Sequence, residues 1–168
     1  NRELEAQVER RTAELRAANE KLSEMAMTDP LTKILNRRGF FKCFTDEIAR
    51  CQRYQRPVCV AMVDVDHFKQ FNDMEGHQYG DEALRKIAQV LQINLRKTDA
   101  LGRYGGEEFI IMMPETQGQR AREICERLRA QIENVMFQGQ SAGAYLTISI
   151  GISAFPSNGA EPNLLIEK

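Results

Sequence analysis

Tryptophan is absent from the 168 residues, histidine occurs only at His67 and His77, and cysteine only at Cys43, Cys51, Cys59 and Cys125. Two histidines and no C-x-x-C spacing exclude a histidine-rich or zinc-ribbon framework. The four cysteines read instead as small hydrophobes in a reducing compartment. Neither sign of charge is in excess: 23 Lys+Arg face 24 Asp+Glu, a net charge of -1. That balance removes the usual electrostatic reason for gripping a nucleic acid polymer. No apolar run reaches the length of a membrane span and no signal peptide opens the chain, so a soluble, cytoplasmic segment is expected. Membrane segments upstream in a longer parent protein stay open. Neither a G-x-x-x-x-G-K-[ST] phosphate loop nor a kinase glycine loop with its lysine occurs, which excludes those two routes to nucleotide chemistry.

What is present is ordinary globular composition, 42% hydrophobic and 28% charged, enough for one domain with an appendage. The appendage is the first 27 residues, which hold no Gly or Pro. Val8, Leu15 and Leu22 form one heptad column, and Leu4, Arg11, Ala18 and Met25 the other. This predicts a parallel dimeric coiled coil of about three heptads, the alternative being an amphipathic helix lying on its own domain. Asp29 suits an N-cap and Pro30 a first helical position, so a second helix is expected to start there. Phe40, Phe41, Phe44, Ile48 and Cys51 follow helical spacing. Val58–Val63 is continuously apolar, as in a strand buried on both faces. Leu84, Ile87, Ala88, Leu91 and Leu95 mark a helix, followed by two short strands around Gly105-Gly106. Ala121, Ile124, Cys125, Leu128, Ile132 and Val135 mark another helix, and Leu146, Ile148, Ile150 and Ile152 alternate as in a strand. From Val58 the order is strand, helix, strand, strand, helix, strand. This is an α+β fold of the ferredoxin-like or polymerase-palm kind: a central antiparallel or mixed sheet flanked by helices, with the hairpin beside the Val58 strand.

Three features converge on one end of that sheet. Asp64-Val65-Asp66 follows the apolar strand directly, where a divalent cation could be reached; solvated acids capping a strand are the plain alternative. The hairpin turn is Arg103-Tyr104-Gly105-Gly106-Glu107-Glu108-Phe109, whose glycines admit a tight turn or close approach of a ligand. The topology then brings Glu107 towards Asp64, two hard oxygen donors suited to Mg²⁺. Carboxylates holding such an ion on a palm-like sheet suit phosphoryl or nucleotidyl transfer.

RYGGEEF at Arg103–Phe109, VDVDHFKQFND at Val63–Asp73 and TDPLTKILNRR at Thr28–Arg38 together resemble the GGDEF-domain diguanylate cyclases, in the GGEEF variant with Glu107 at the motif's Asp. The resemblance covers about residue 28 to 168. It implies that two GTP-loaded domains meet as a homodimer and condense two GTP into cyclic di-GMP and two pyrophosphates, with Mg²⁺ or, alternatively, Mn²⁺. It implies metal ligation by Asp64, the Val65 carbonyl and Glu107, with Glu108 a further ligand or base. Asn72 and Asp81 match the pair that reads guanine, Leu31 a wall of the base pocket, and His67, Phe68 and Lys69 the phosphate-binding turn. Gly105 and Gly106 match the approach to the α-phosphate. Read from the residues alone, Asn72 and Asp81 could equally cap helices, since Gly80-Asp81 also looks like a helix start.

Arg96-Lys97-Thr98-Asp99 stands where the family has its R-x-x-D product-inhibition site, and Arg127 resembles that site's second arginine. A helix-terminal Arg with a capping Asp is the plain alternative. The family pattern continues into a helix whose Lys and Arg contact the triphosphate; Leu164–Lys168 resembles its beginning, so the domain is expected to be C-terminally incomplete. An upstream sensor domain is expected as partner. Two other functions fit the same residues: a non-catalytic module binding GTP or cyclic di-GMP, and a structural dimerisation fragment.

Overall fold

The computed structural model describes residues 27–139 and 144–156, together with 7–12, 14–16, 18 and 22 upstream. The upstream residues are helical, and Val8, Leu15 and Leu22 of the first heptad column are all exposed. Leu4 and Met25 of the second column lie outside the described residues, as do Leu164–Lys168.

No helix starts at Asp29. Its carboxylate accepts from the Thr32 amide at 2.8 Å and the Thr32 hydroxyl at 2.6 Å, while the Lys33 amide donates to the Asp29 carbonyl at 2.9 Å. Lys33 then adopts φ 62, which ends the turn after one lap. Thr28 bridges to Leu35, and a two-residue strand β1 (Leu35–Asn36) follows. The helix begins at the next opportunity: α1 (Arg37–Tyr54) is capped by Asn36, whose side chain accepts from the Gly39 amide at 2.8 Å. Gln55 in the left-handed region closes it.

Strand β2 (Val58–Val65) is the centre of the molecule and runs further than its apolar stretch, taking in Asp64 and Val65. Cys59, Ala61, Val63 and Val65 face one core, and Val58 and Val60 face another built with Phe40, Phe44 and Ile48 of α1. That double burial is why the strand lacks polar alternation until its end. Next come α2 (Phe68–Glu75) and α3 (His77–Asn94), separated by Gly76 at φ 98. Only glycine turns the chain there without strain. Because α3 starts at His77, Gly80 and Asp81 lie inside it; the reading of Asp81 as a residue opening a helix is corrected.

β3 (Ala100–Arg103) and β4 (Glu108–Pro114) form the expected hairpin, with β4 antiparallel to β2. After α4 (Gly118–Glu133), a small ladder of β5 (Met136–Phe137) and β6 (Ala144–Tyr145) precedes β7 (Ile148–Phe155). Two-residue strands carry no periodicity, so the sequence does not announce them. The main sheet has the order β1-β3-β4-β2-β7, with β1 parallel to β3 and the other pairs antiparallel: the ferredoxin-like arrangement with one added edge. Along β7, Ile148, Ile150 and Ile152 belong to the core under α4, while Ser149 and Gly151 are exposed. No helix among the described residues is long and apolar enough to cross a membrane.

Candidate active site

The site lies where β2, β4 and β7 end together. Asp64 pairs in register with Glu108 on one side and Ser149 on the other, and the Val65 amide donates to the Glu107 carbonyl at 3.3 Å. The hairpin closes through the Tyr104 and Gly105 amides, which donate to the Glu108 carbonyl at 2.8 and 3.4 Å. The two glycines have different reasons to be there. A Cβ on Gly105 would stand 2.6 Å from Glu108 Oε2, whereas one on Gly106 would meet nothing within 4 Å. Gly105 accommodates its own hairpin, and Gly106 leaves bare backbone facing open space.

Asp64 and Asp66, two residues apart, are opposites. Asp66 Oδ2 accepts from Thr147 Oγ1 and Oδ1 from Ser149 Oγ, both at 2.6 Å, and its amide donates to the Thr147 carbonyl at 2.9 Å. Those hydroxyls of Ser149 and Thr147 hold the Asp66 pKa below the ordinary carboxylate range. The Asp64 carboxylate is exposed yet has a raised pKa, from partial burial first and then from the negative charges of Glu107 and Asp66. A raised carboxylate between like charges is what a cation would relieve. Among the described residues no three acidic, histidine or cysteine side chains gather as a metal cluster. The available donors are therefore two carboxylates and backbone oxygen, hard ligands that fit a divalent ion keeping several waters.

The turn is braced from outside. Arg103 Nε and Nη2 donate to the Gly106 carbonyl at 3.0 and 2.7 Å, and Nη1 reaches Asp29 Oδ1 and Oδ2 at 3.2 and 3.3 Å. Both side chains of this ion pair are largely buried, at 18% and 15% exposure. Burial works against the Asp29 charge, but the Thr32 hydrogen bonds and Arg103 outweigh it and lower its pKa. So the Thr28–Lys33 turn, expected to open a helix, instead anchors the hairpin.

His67 stands at φ 57 as α2 begins, and the stacked, buried rings of Phe68 and Phe71, 6.3 Å apart, fix that helix to the core. The first amides of α2 have no partner within the helix and lie beside the Asp64 end of β2, with Lys69 exposed. Asn72 packs its side chain on the next helix: a Cβ on Gly80 would lie 1.7 Å from Asn72 Oδ1. That buried oxygen accepts no hydrogen bond among the described residues, and Asp81, the residue after Gly80 on α3, is exposed. Leu31 is half-buried against the larger core.

Away from this edge, Arg96 and Asp99 close a tight turn between α3 and β3. The Arg96 amide donates to Asp99 Oδ2 at 2.9 Å, and the Asp99 amide returns to the Arg96 carbonyl at 3.0 Å. Burial raises the Asp99 pKa, opposed by the Arg96 amide and charge. Arg127 Nη2 donates to the Asn94 carbonyl at 3.2 Å, which brings α4 to the same end of α3.

Sequence reasoning set Asp66 beside Asp64 as an acid that could reach a cation and missed its engagement by Thr147 and Ser149; it also missed Asp29 and Arg103 as site-shaping residues. A signal for that engagement was present: Thr147, just before β7, and Ser149 on it alternate with isoleucines opposite the end of β2. Nothing local marked Asp29 and Arg103 as partners, 74 residues apart.

The family model described as "Diguanylate cyclase, GGDEF domain" matches residues 26–168. The diguanylate cyclase DgcP of Pseudomonas aeruginosa is 40% identical over 137 residues, which are 82% of this chain; they span only 20% of that protein's length. The crystal structure of the coiled coil and GGDEF domain of DgcB from Caulobacter crescentus, in complex with c-di-GMP, superposes with a TM-score of 0.77 at 29% identity, covering 98% of this chain and 88% of that one. The active GGEEF domain of a diguanylate cyclase from Vibrio cholerae gives a TM-score of 0.68 at 32% identity, over 71% and 76% of the two chains. The fold, the hairpin at the end of β2 and these likenesses agree, and the chain belongs to the GGDEF family of diguanylate cyclase domains.

Proposed function

We propose that the chain is the catalytic part of a diguanylate cyclase that joins two GTP into cyclic di-GMP across a homodimer. The observation that carries this reading is the meeting of Asp64 and Glu107 at the end of β2, beside the open backbone of Gly106. Asp64, the Val65 carbonyl and Glu107 would hold Mg²⁺, or Mn²⁺ in its place, with Glu108 a further ligand or base. Such an ion supplies neutralisation of phosphate charge and a lower pKa for the attacking 3′-hydroxyl. The α2 amides near His67 and Phe68, with Lys69, bind the phosphates; Gly105 and Gly106 let the α-phosphate approach the hairpin. Asp81 accepts from guanine N1–H and the exocyclic amine, with Asn72 beside it and Leu31 against the base. In the reaction each 3′-oxygen bonds to the partner nucleotide's α-phosphorus and each α–β bridge breaks, so two GTP give one cyclic dinucleotide and two pyrophosphates. Residues 1–27 serve as the dimerising helix that raises the effective concentration of the two catalytic domains 28–168. The Arg96–Asp99 turn with Arg127 takes the product as inhibitor, and an upstream sensor sets the pairing. Work in the cytoplasm suits both the substrate and the free thiols.

Incubation with GTP and Mg²⁺, followed by chromatographic detection of cyclic di-GMP, tests this. GTP binding without product would make the chain a binding module, and no binding would leave it a dimerisation fragment. ATP should fail to compete, because Asp81 would then face acceptors.

A further inference from the structure

One cross-strand row crosses the α1 side of the sheet at the candidate active-site edge. Asp64 pairs in register with Glu108, and the Tyr104 amide donates to the Glu108 carbonyl at 2.8 Å. Strand residues two apart share a face, so Asp64 follows Val58, Val60 and Met62 on the side covered by α1. Glu108 precedes Ile110 and Met112 on that side, and Tyr104 packs against the same core. β1 lies beside β3 with Asn36 opposite Arg103, so Arg37, the first residue of α1, stands level with Tyr104. Its guanidinium lies over the Tyr104 ring, 4.6 Å from the centroid, and 5.9 Å from that of Phe41. The two ring centroids are 6.2 Å apart, so tyrosine and phenylalanine form one platform under the cation.

Two arginines therefore flank the hairpin, and they are engaged differently. Arg103 is committed to the Gly106 carbonyl and Asp29. Arg37 is exposed, and among the described residues it is in no ion pair. Further along the same helix, Arg50 meets both Glu47 and Glu115. A guanidinium lying on a ring keeps its N–H donors around the rim of its plane, where a planar fork suits a phosphate. Glu108 is the next position in the row, yet the platform holds the cation away from it. Two strand spacings, about 10 Å, separate the Tyr104 position from Asp64. That interval runs past the hairpin whose Gly106 leaves bare backbone, and it has room for a phosphate between a fixed cation and the carboxylates.

We propose that Arg37 is a substrate-contacting residue: held on Tyr104 and Phe41, its guanidinium donates to the nucleotide phosphate that lies against the Gly105-Gly106 hairpin. The inference rests on reading this edge as a GTP site. Calorimetric titration of the intact chain tests it, with Mg²⁺ and 3′-deoxy-GTP, which lacks the attacking hydroxyl, and with guanosine, which lacks phosphate. Arg37→Met keeps an aliphatic stem on the ring and removes the cation. It should weaken 3′-deoxy-GTP binding about tenfold or more, the worth of a charge-assisted hydrogen bond, and leave guanosine binding unchanged. Arg37→Lys keeps the charge without the planar fork and should weaken the nucleotide about threefold. Arg38→Met removes the same charge from the neighbouring position and should bind as wild type. If wild type fails to bind 3′-deoxy-GTP, the GTP-site reading falls and this inference with it. If wild type binds and both Arg37 variants bind equally well, the inference falls alone. Equal weakening of nucleotide and guanosine by Arg37→Met would make Arg37 a packing residue of the hairpin. Equal weakening by Arg38→Met would reduce the effect to overall charge, and either result overturns the assignment. Should Arg37→Met fail to fold in a thermal melt, Arg37→Lys decides: affinity equal to wild type overturns it.

Discussion

Two acidic turns of this chain are built in opposite ways. At Arg96–Asp99 the carboxylate closes on an amide three residues away, so four consecutive residues make the turn. At the candidate active-site edge the arrangements that join its elements are long-range: Asp66 to Thr147 and Ser149, Arg103 to Asp29, Val65 to Glu107. The local turn satisfies its own carboxylate. The composite edge satisfies Asp66 and leaves Asp64 crowded by negative charge. The proposed metal-binding carboxylate is thus the one without a hydroxyl partner, beside one that has two.

The largest expected effect comes from breaking the composite edge at its charge. Glu107→Gln should lower cyclic di-GMP formation by at least about 10²–10³-fold while leaving the circular dichroism spectrum unchanged. A variant with near-normal turnover would remove Glu107 from the metal site. The next effect is structural. Arg103→Met cuts the brace between Gly106 and Asp29 and leaves a largely buried carboxylate without its cation, which should cost about 2 kcal/mol in urea denaturation. Turnover should fall with it, because the hairpin loses its outer anchor.

A sharper contrast lies between Asp64 and Asp66, whose removal should move stability in opposite directions. The folded pKa of Asp66 is lowered, so its contribution is present above the ordinary carboxylate range and is lost as pH falls through the depressed value. Asp66→Asn should therefore destabilise at neutral pH, by about 1 kcal/mol. The folded pKa of Asp64 is raised, so its charge opposes folding at neutral pH and the protein gains stability as pH falls through that raised value. Asp64→Asn should raise the melting temperature at pH 7 by about 1–3 °C, lose that advantage in acid, and abolish turnover. Thermal melts from pH 3 to 7 check both signs, and equal shifts for the two variants would dissolve the contrast. The smallest effect belongs to the local turn: Asp99→Ala should cost about 0.5–1 kcal/mol, the worth of a capping side chain, measured by the same melts.

Much of this architecture was legible as period and punctuation. The unbroken run from Val58 announced a strand with two covered faces, and the alternation at Ile148–Ile152 announced one with a single covered face. Where the reading failed, a local signal had two physical outcomes. Asp29 was a sound N-cap by type, yet its carboxylate closed a turn with Thr32 and paired with Arg103, and Asn36 capped the helix instead. Gly80 looked like a helix start because glycine so often marks ends; here it sits within the first turn of α3, where only a missing Cβ leaves room for Asn72.

The sequence by itself determined the elements, their order and the residue types at the functional edge, since hydrophobic period and turn chemistry act over a few neighbouring residues. Only the tertiary structure decided which carboxylate of Asp64-Val65-Asp66 is occupied and which is available, which glycine serves the hairpin and which faces open space, and that Arg37 lies over the Tyr104 ring beside that hairpin. Those are questions of distance between residues far apart in the chain. Hydrogen bonds and Coulomb interactions answer them only after the sheet has closed.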